Sequence, residues 1–157
     1  MDMKIKLIRN SEREGTDYIE FLIGTRDTKV KNWSEDSFFL NSSIFSANFV
    51  SCFVGKDGLF DIVGPEIFYD TNEVNDIQFL LKKRESVLNS VNSLEEFINE
   101  VSQRGESFLG EIEAFYDRDW QAHWKKIQGR LLEVNRSLIE LTEKAIEKGK
   151  GLWVIGV

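Results

Sequence analysis

From Trp120 to Ala145 the apolar residues Trp120, Trp124, Ile127, Leu131, Val134, Leu138, Leu141 and Ala145 follow one another at spacings of 4, 3, 4, 3, 4, 3 and 4. No strand can carry that period, so the seam commits the last third of the chain to a long amphipathic helix, expected from about residue 111 to Lys148. Leu132, Ile139 and Ile146 form a flanking row seven residues apart, which widens the stripe beyond a bare coiled-coil seam. At ~1.5 Å per residue the stretch from Trp120 to Lys148 would be roughly 43 Å long, close to the ~40 Å breadth of a domain this size. The domain itself can therefore cover the helix, with a homodimeric coiled coil as the alternative use of the seam.

The residues after the helix close the fold. Gly149 is placed to cap it, with Lys144, Lys148 and Lys150 near the negative end of its dipole. The run Leu152 to Val157, LWVIGV, reads as a strand buried on both faces and inserted into a sheet built by the N-terminal half. In that half, Lys4 to Arg9 and Tyr18 to Ile23 are strand candidates separated by a polar turn. Residues 44 to 54 alternate, with Phe45, Ala47, Phe49 and Phe53 on one side, and Asp57-Gly58 predicts a hairpin returning through Leu59 to Val63. Residues 24 to 43 show no clean period and are expected to be loop with a short helix. Asp70-Thr71-Asn72-Glu73 and Ser93-Leu94-Glu95-Glu96 are two capping boxes, each opening a helix. Strands first and helices after them define an α+β fold: an N-terminal antiparallel sheet joined by a C-terminal strand, packed on two or three helices, in a single domain spanning 1–157.

Charge is distributed unevenly. Acidic against basic residues number 8 to 8 over 1–56, 6 to 0 over 57–76, 4 to 4 over 77–104, 5 to 1 over 105–119 and 4 to 7 over 120–157, for a net charge of −7. The one-signed segment holds Asp57, Asp61, Glu66, Asp70, Glu73 and Asp76, with Phe68 and Tyr69 among them. A local negative field containing apolar rings suits a basic protein partner and repels phosphate backbones. These eight residues are the candidate partner-binding set. Caps and turns account for Asp57, Asp70, Glu73 and Asp76, which is the purely structural alternative.

Catalytic patterns are sparse. A single histidine and a single cysteine exclude His-based zinc motifs and CxxC sites, and no phosphate loop, dinucleotide fingerprint or nucleophile elbow is present, so neither a metal nor a cofactor is expected. Cys52 and His123 would need the fold to bring them together to act as a nucleophile and base. Glu111, Glu113, Asp117, Asp119 and His123 gather where the long helix should start, with Asp119 and His123 at i, i+4. They would suit a divalent metal or acid–base work, but a helix N-terminus collects acids for its own reasons. Trp120 and Trp124 begin the seam and belong to the core; Lys82-Lys83-Arg84 and Lys125-Lys126 are expected to be solvated. With a pI near 4.9, nucleic acid is not an expected partner. One cysteine asks for no oxidising compartment, no stretch is long and apolar enough to span a membrane, and the expected location is the cytoplasm.

The sequence GPEIFYD ahead of an acidic helix start and the terminal GLWVIGV, in a small, acidic, aromatic-rich α+β chain, resemble the immunity proteins of bacterial contact-dependent and other polymorphic toxin systems. The resemblance implies a tight, non-enzymatic inhibitor of a toxin domain, often a basic nuclease, whose active site an acidic surface would cover. A homo-oligomeric adaptor using the helix seam and a carboxylate-dependent enzyme are the alternatives.

Overall fold

In the computed structural model, which describes residues 3–31, 33–53, 66–102 and 107–156, five strands form one antiparallel sheet. They are β1 (Ile8–Arg9), β2 (Tyr18–Gly24), β3 (Phe38–Asn41), β4 (Ile67–Tyr69) and β5 (Gly151–Ile155), in the order β1-β3-β2-β5-β4. β5 inserts between β2 and β4, with Phe21 opposite Val154 and Tyr69 opposite Leu152, so the expected closure by the C-terminal strand is present. Ser42–Asn48 forms α1, Thr71–Asn89 α2, Leu94–Val101 α3, Ser107–Phe115 α4 and Trp124–Glu147 α5. The α+β class is as the sequence predicts.

Each helix boundary has a local cause. Asp70 and Glu73 form a reciprocal box: the Glu73 amide donates to Asp70 Oδ1 at 2.9 Å and the Asp70 amide to Glu73 Oε1 at 3.0 Å. At α3, Ser93 Oγ accepts from the Glu96 amide, but Glu96 reaches back to the amide of Asn92, one residue earlier than a standard box. α5 ends in a Schellman turn, with Gly149 at φ +63°, its amide donating to Ile146 and the Lys150 amide to Ala145.

Four sequence expectations are corrected. Residues 44–53 are not a strand. They form α1 and a 3-10 turn, because Ile44, Phe45, Asn48, Phe49, Cys52 and Phe53 are all buried in a helical period and Asn41 caps the start through the amides of Ser43 and Ile44. The helix expected from residue 111 is broken, since the Asp117 carboxylate accepts from the Asp119 amide and the Ile112 carbonyl takes both the Tyr116 and Asp117 amides. That local turn ends α4 at Phe115, and a 3-10 turn over 120–123 leads into α5. The first strand is only Ile8–Arg9, because Met3 is tied by its amide to the Phe115 carbonyl instead of to the sheet. Strand β3, in the stretch with no clean period, was not expected. The hairpin at Asp57-Gly58 and the strand through Val63 lie outside the described residues.

The core lies between one sheet face and the helices. Ile19, Phe21, Leu40, Tyr69, Leu152 and Val154 meet Val74, Ile77 and Leu81 of α2 and Leu131, Leu138 and Ala145 of α5, all buried. The seam residues from Ile127 to Ala145 are buried within this chain, covered chiefly by α2. Side-chain bonds link Gln78 to Thr142, Asn135 to Leu81, and Gln128 to Leu88 and Val91, a pairing that runs α2 and α5 antiparallel. Trp120 and Trp124 both contact the Phe97 ring of α3, at 6.3 and 5.6 Å between centroids.

The other sheet face is covered by the segment between β2 and β3. Trp33, at φ +66°, stacks on Phe39 and lies beneath the Arg13 guanidinium. Buried Glu20 holds this segment, accepting from the Trp33 and Ser34 amides and from Ser37 Oγ at 2.9, 3.1 and 2.5 Å. Trp153 Nε1 donates to the Thr25 carbonyl, fixing the start of the segment against β5.

Candidate functional site

The acidic segment enters the fold as the edge strand β4 and the first turns of α2. Glu66 is exposed just before β4. Phe68 is half-buried, its ring 5.0 Å from that of Trp153 and beneath the Arg26 guanidinium at 5.1 Å. Tyr69 points to the opposite face and is buried, donating from its hydroxyl to the Phe53 carbonyl at 3.0 Å. Burial, reinforced by the charge of Glu73, pushes its phenol up to about 12. Asp70 and Glu73 are joined in the cap. Asp76 is exposed on the outer face of α2. Asp57 and Asp61 lie outside the described residues. The outward members of the candidate set are thus Glu66, Asp76 and part of Phe68, whereas Tyr69 belongs to the core and Asp70 and Glu73 serve the helix start.

The structure adds a residue that the sequence reading passed over. Phe79 is 62% exposed, one turn beyond Asp76, with the Lys83 ammonium 5.4 Å from its ring centroid. Val87 continues this outer face and is also exposed. The sequence held a signal, since the inward positions Val74, Ile77, Leu81 and Leu88 define a stripe that leaves Phe79 on the far side of the helix. A large exposed ring beside a carboxylate is the composition of an interface anchor.

The second constellation is rearranged by the break between α4 and α5. His123 meets Asp117 and not Asp119, its Nδ1 2.8 Å from Asp117 Oδ2. The bond to His123 and then the Asp119 amide hold the Asp117 carboxyl below the usual carboxylate range. Among the described residues no group of three or more His, Cys, Asp or Glu side chains is placed to hold a metal ion. Glu111 instead lines a cleft of about 240 Å³ with Glu14, Asp17, Tyr18 and the exposed Phe115.

Cys52 is buried, and burial pushes its thiol up to about 11 despite the opposing charge of Arg84. A thiol so protonated is a poor nucleophile at neutral pH. Arg84 also departs from expectation: it is largely buried, paired with Glu100 of α3 and 3.4 Å from Asn48 Oδ1, while Lys82 and Lys83 are exposed as expected. Among the described residues, no helix is long and apolar enough to cross a membrane. Comparison with protein-family models, with curated proteins and with solved structures gives no match to this chain.

Proposed function

We propose that this chain is a stoichiometric protein inhibitor of the immunity type, which binds a basic toxin domain and carries no catalysis of its own. The observation that supports it best is the outer face of α2, where exposed Phe79 stands one turn from exposed Asp76. The aromatic ring would bury against the partner and slow its release, while the carboxylates speed encounter with a positively charged surface. The cleft lined by Glu14, Asp17, Glu111, Tyr18 and Phe115, with Lys4 its one cation among the described lining residues, is also acidic and aromatic and suits the same kind of partner. Action in the cytoplasm of the protected cell belongs to this reading.

The test begins with capture of the partner from native lysate at low salt, its release at high salt, and purification of the released domain. Phe79→Ala and the pair Glu66→Lys with Asp76→Lys should each weaken the one-to-one complex at least tenfold, and only the charge reversals should flatten its salt dependence. Protection of cells that express the captured domain should fail in parallel. Undiminished affinity in both variants would remove the α2 face from the interface, and a captured domain that is harmless on expression would end the inhibitor reading.

A further inference from the structure

Beyond Phe21, strand β2 runs on without β3. Leu22, Ile23 and Gly24 pair with Trp153, Leu152 and Gly151 of β5 on one side and have no strand neighbour on the other among the described residues. A groove of about 510 Å³ lies along this edge. Arg9 of β1, Lys29 of the segment after β2, and Lys144, Lys148 and Lys150 at the end of α5 line it, with Asp36 the one carboxylate among its described lining residues.

Lysines at a helix C-terminus ordinarily complement the helix dipole. The dipole accounts for Lys144, Lys148 and Lys150, but gives no reason for Arg9 or Lys29, which line the same groove. Lys144 and Lys148 stand at i, i+4, where like charges repel. The chain has 27 acidic residues against 20 basic ones; it pairs Lys6 with Glu12, Arg136 with Glu85 and Arg130 with Glu133, and leaves others, such as Lys82, Lys83, Lys125 and Lys126, exposed to solvent. Among the described residues, Lys29, Lys144, Lys148 and Lys150 form no ion pair. What sets the groove apart is that five cations and one carboxylate line a single concavity of an acidic protein.

We infer that this groove binds a small ligand carrying two or more phosphate groups. Size argues for a compact occupant, since three open residues span only about 10 Å of strand edge, too short for an added peptide strand. The edge is bounded by Phe38 on one side and on the other by the Thr25–Thr28 turn, which is closed by the Thr28 amide on the Thr25 carbonyl and the Thr25 amide on Thr28 Oγ1. The volume lies within the roughly 300–1,000 Å³ typical of small-molecule sites. Charge type argues for phosphate over carboxylate. Arg9, whose planar guanidinium would clamp a carboxylate or a phosphate in two-pronged fashion, is engaged by the Asp36 carbonyl at 3.2 Å and lies 3.9 Å over the Phe38 ring. Lys29, Lys148 and Lys150 remain as point charges, with the Lys144 ammonium 5.9 Å from the Phe38 ring centroid, and such ammonium groups donate to phosphate oxygens from many directions and together match the charge density of a polyphosphate. A long polynucleotide would meet the net charge of −7. Glu20 and Trp153 fix the segment that carries Lys29, so the rim is pre-formed.

The inference is independent of the inhibitor reading, and its test uses the full chain and inorganic tripolyphosphate. Calorimetry should give one-to-one binding that weakens as salt rises, and that sulfate at matched ionic strength does not reproduce. Amide resonances of Gly24, Thr28, Lys29, Lys148 and Lys150 should shift on titration. Lys29→Gln with Lys148→Gln should weaken binding at least tenfold, whereas Lys82→Gln with Lys83→Gln, on the exposed face of α2, should leave it unchanged. No heat at millimolar ligand, sulfate binding of equal strength, shifts confined to other regions, or equal loss in both variant pairs would overturn it.

Discussion

The side chain of Asn135 on α5 donates through Nδ2 to the backbone carbonyl of Leu81 on α2 at 2.9 Å, and both residues are fully buried. Gln128 and Thr142, seven residues to either side, make the neighbouring side-chain bonds to α2, so a polar row runs beside the apolar seam and sets the register of the two helices. Asn135 Oδ1 has no partner among the described residues. Asn135→Ala should cost about 1–3 kcal/mol through the lost bond and the space left behind. Asn135→Asp should cost more, about 3–5 kcal/mol, because a buried carboxylate would face the Leu81 carbonyl without a donor. Urea unfolding would measure both, and an Asp variant as stable as the Ala variant would contradict the geometry.

Glu20 accepts three hydrogen bonds from the segment over the second sheet face, two of them from consecutive amides at Trp33 and Ser34. Glu20→Gln keeps the shape but turns one acceptor into a donor that faces another donor. The expected loss is about 2–3 kcal/mol. Proteolysis should then cut within residues 25–37 of the variant well before it cuts the native chain; equal resistance would mean that the Trp33 stack alone holds the segment.

Elements with one strong period were legible in the sequence. The α5 seam, the Asp70 and Glu73 box, β2 and β5 needed only their own residues to be recognised. Residues 44–53 were not legible, because Phe45, Phe49 and Phe53 fit both an alternating strand and a helix, and the deciding burial of Ile44, Asn48 and Cys52 depends on tertiary packing. Strand β3 is short and is recruited by β1 and β2, which no local pattern reveals. The break at Asp117 was hidden because its carboxylate acts on a neighbouring amide, and composition assigns the same residue equally to a helix start. At the candidate site, charge located β4 and the start of α2. It could not show that Tyr69 turns inward while Phe79 turns outward.

Gly151 begins β5 where β4 passes closest. A Cβ there would lie 2.3 Å from the Tyr69 carbonyl oxygen and 2.5 Å from Phe68 Cζ, and the backbone oxygen cannot move aside without shifting β4. Gly151→Ala should therefore destabilise by about 1–3 kcal/mol and loosen the edge strand after Glu66. Amide exchange at Ile67 to Tyr69 should accelerate more than exchange in α5. A variant with native exchange at β4 would show that the sheet relaxes at little cost.

Alkaline pH should destabilise the fold through two groups that burial keeps protonated. The Cys52 thiol is raised from 9.0 to about 11 and the Tyr69 phenol from 10.0 to about 12. Both pKa values are higher in the folded chain than in the unfolded one, so the unfolded chain releases its protons first as pH rises. Between pH 9 and 12 the native state binds more protons than the unfolded state, and stability falls with pH across that window. At pH 7 both groups are protonated in either state and contribute no slope. Cys52→Ala should flatten the fall from about pH 9 to 11, and Tyr69→Phe the fall from about pH 10 to 12, although each lowers stability at neutral pH by leaving a gap or removing the bond to Phe53. Urea midpoints taken at pH 7, 9 and 11 would decide it: parallel declines in the native chain and in both variants would place the alkaline sensitivity in other groups.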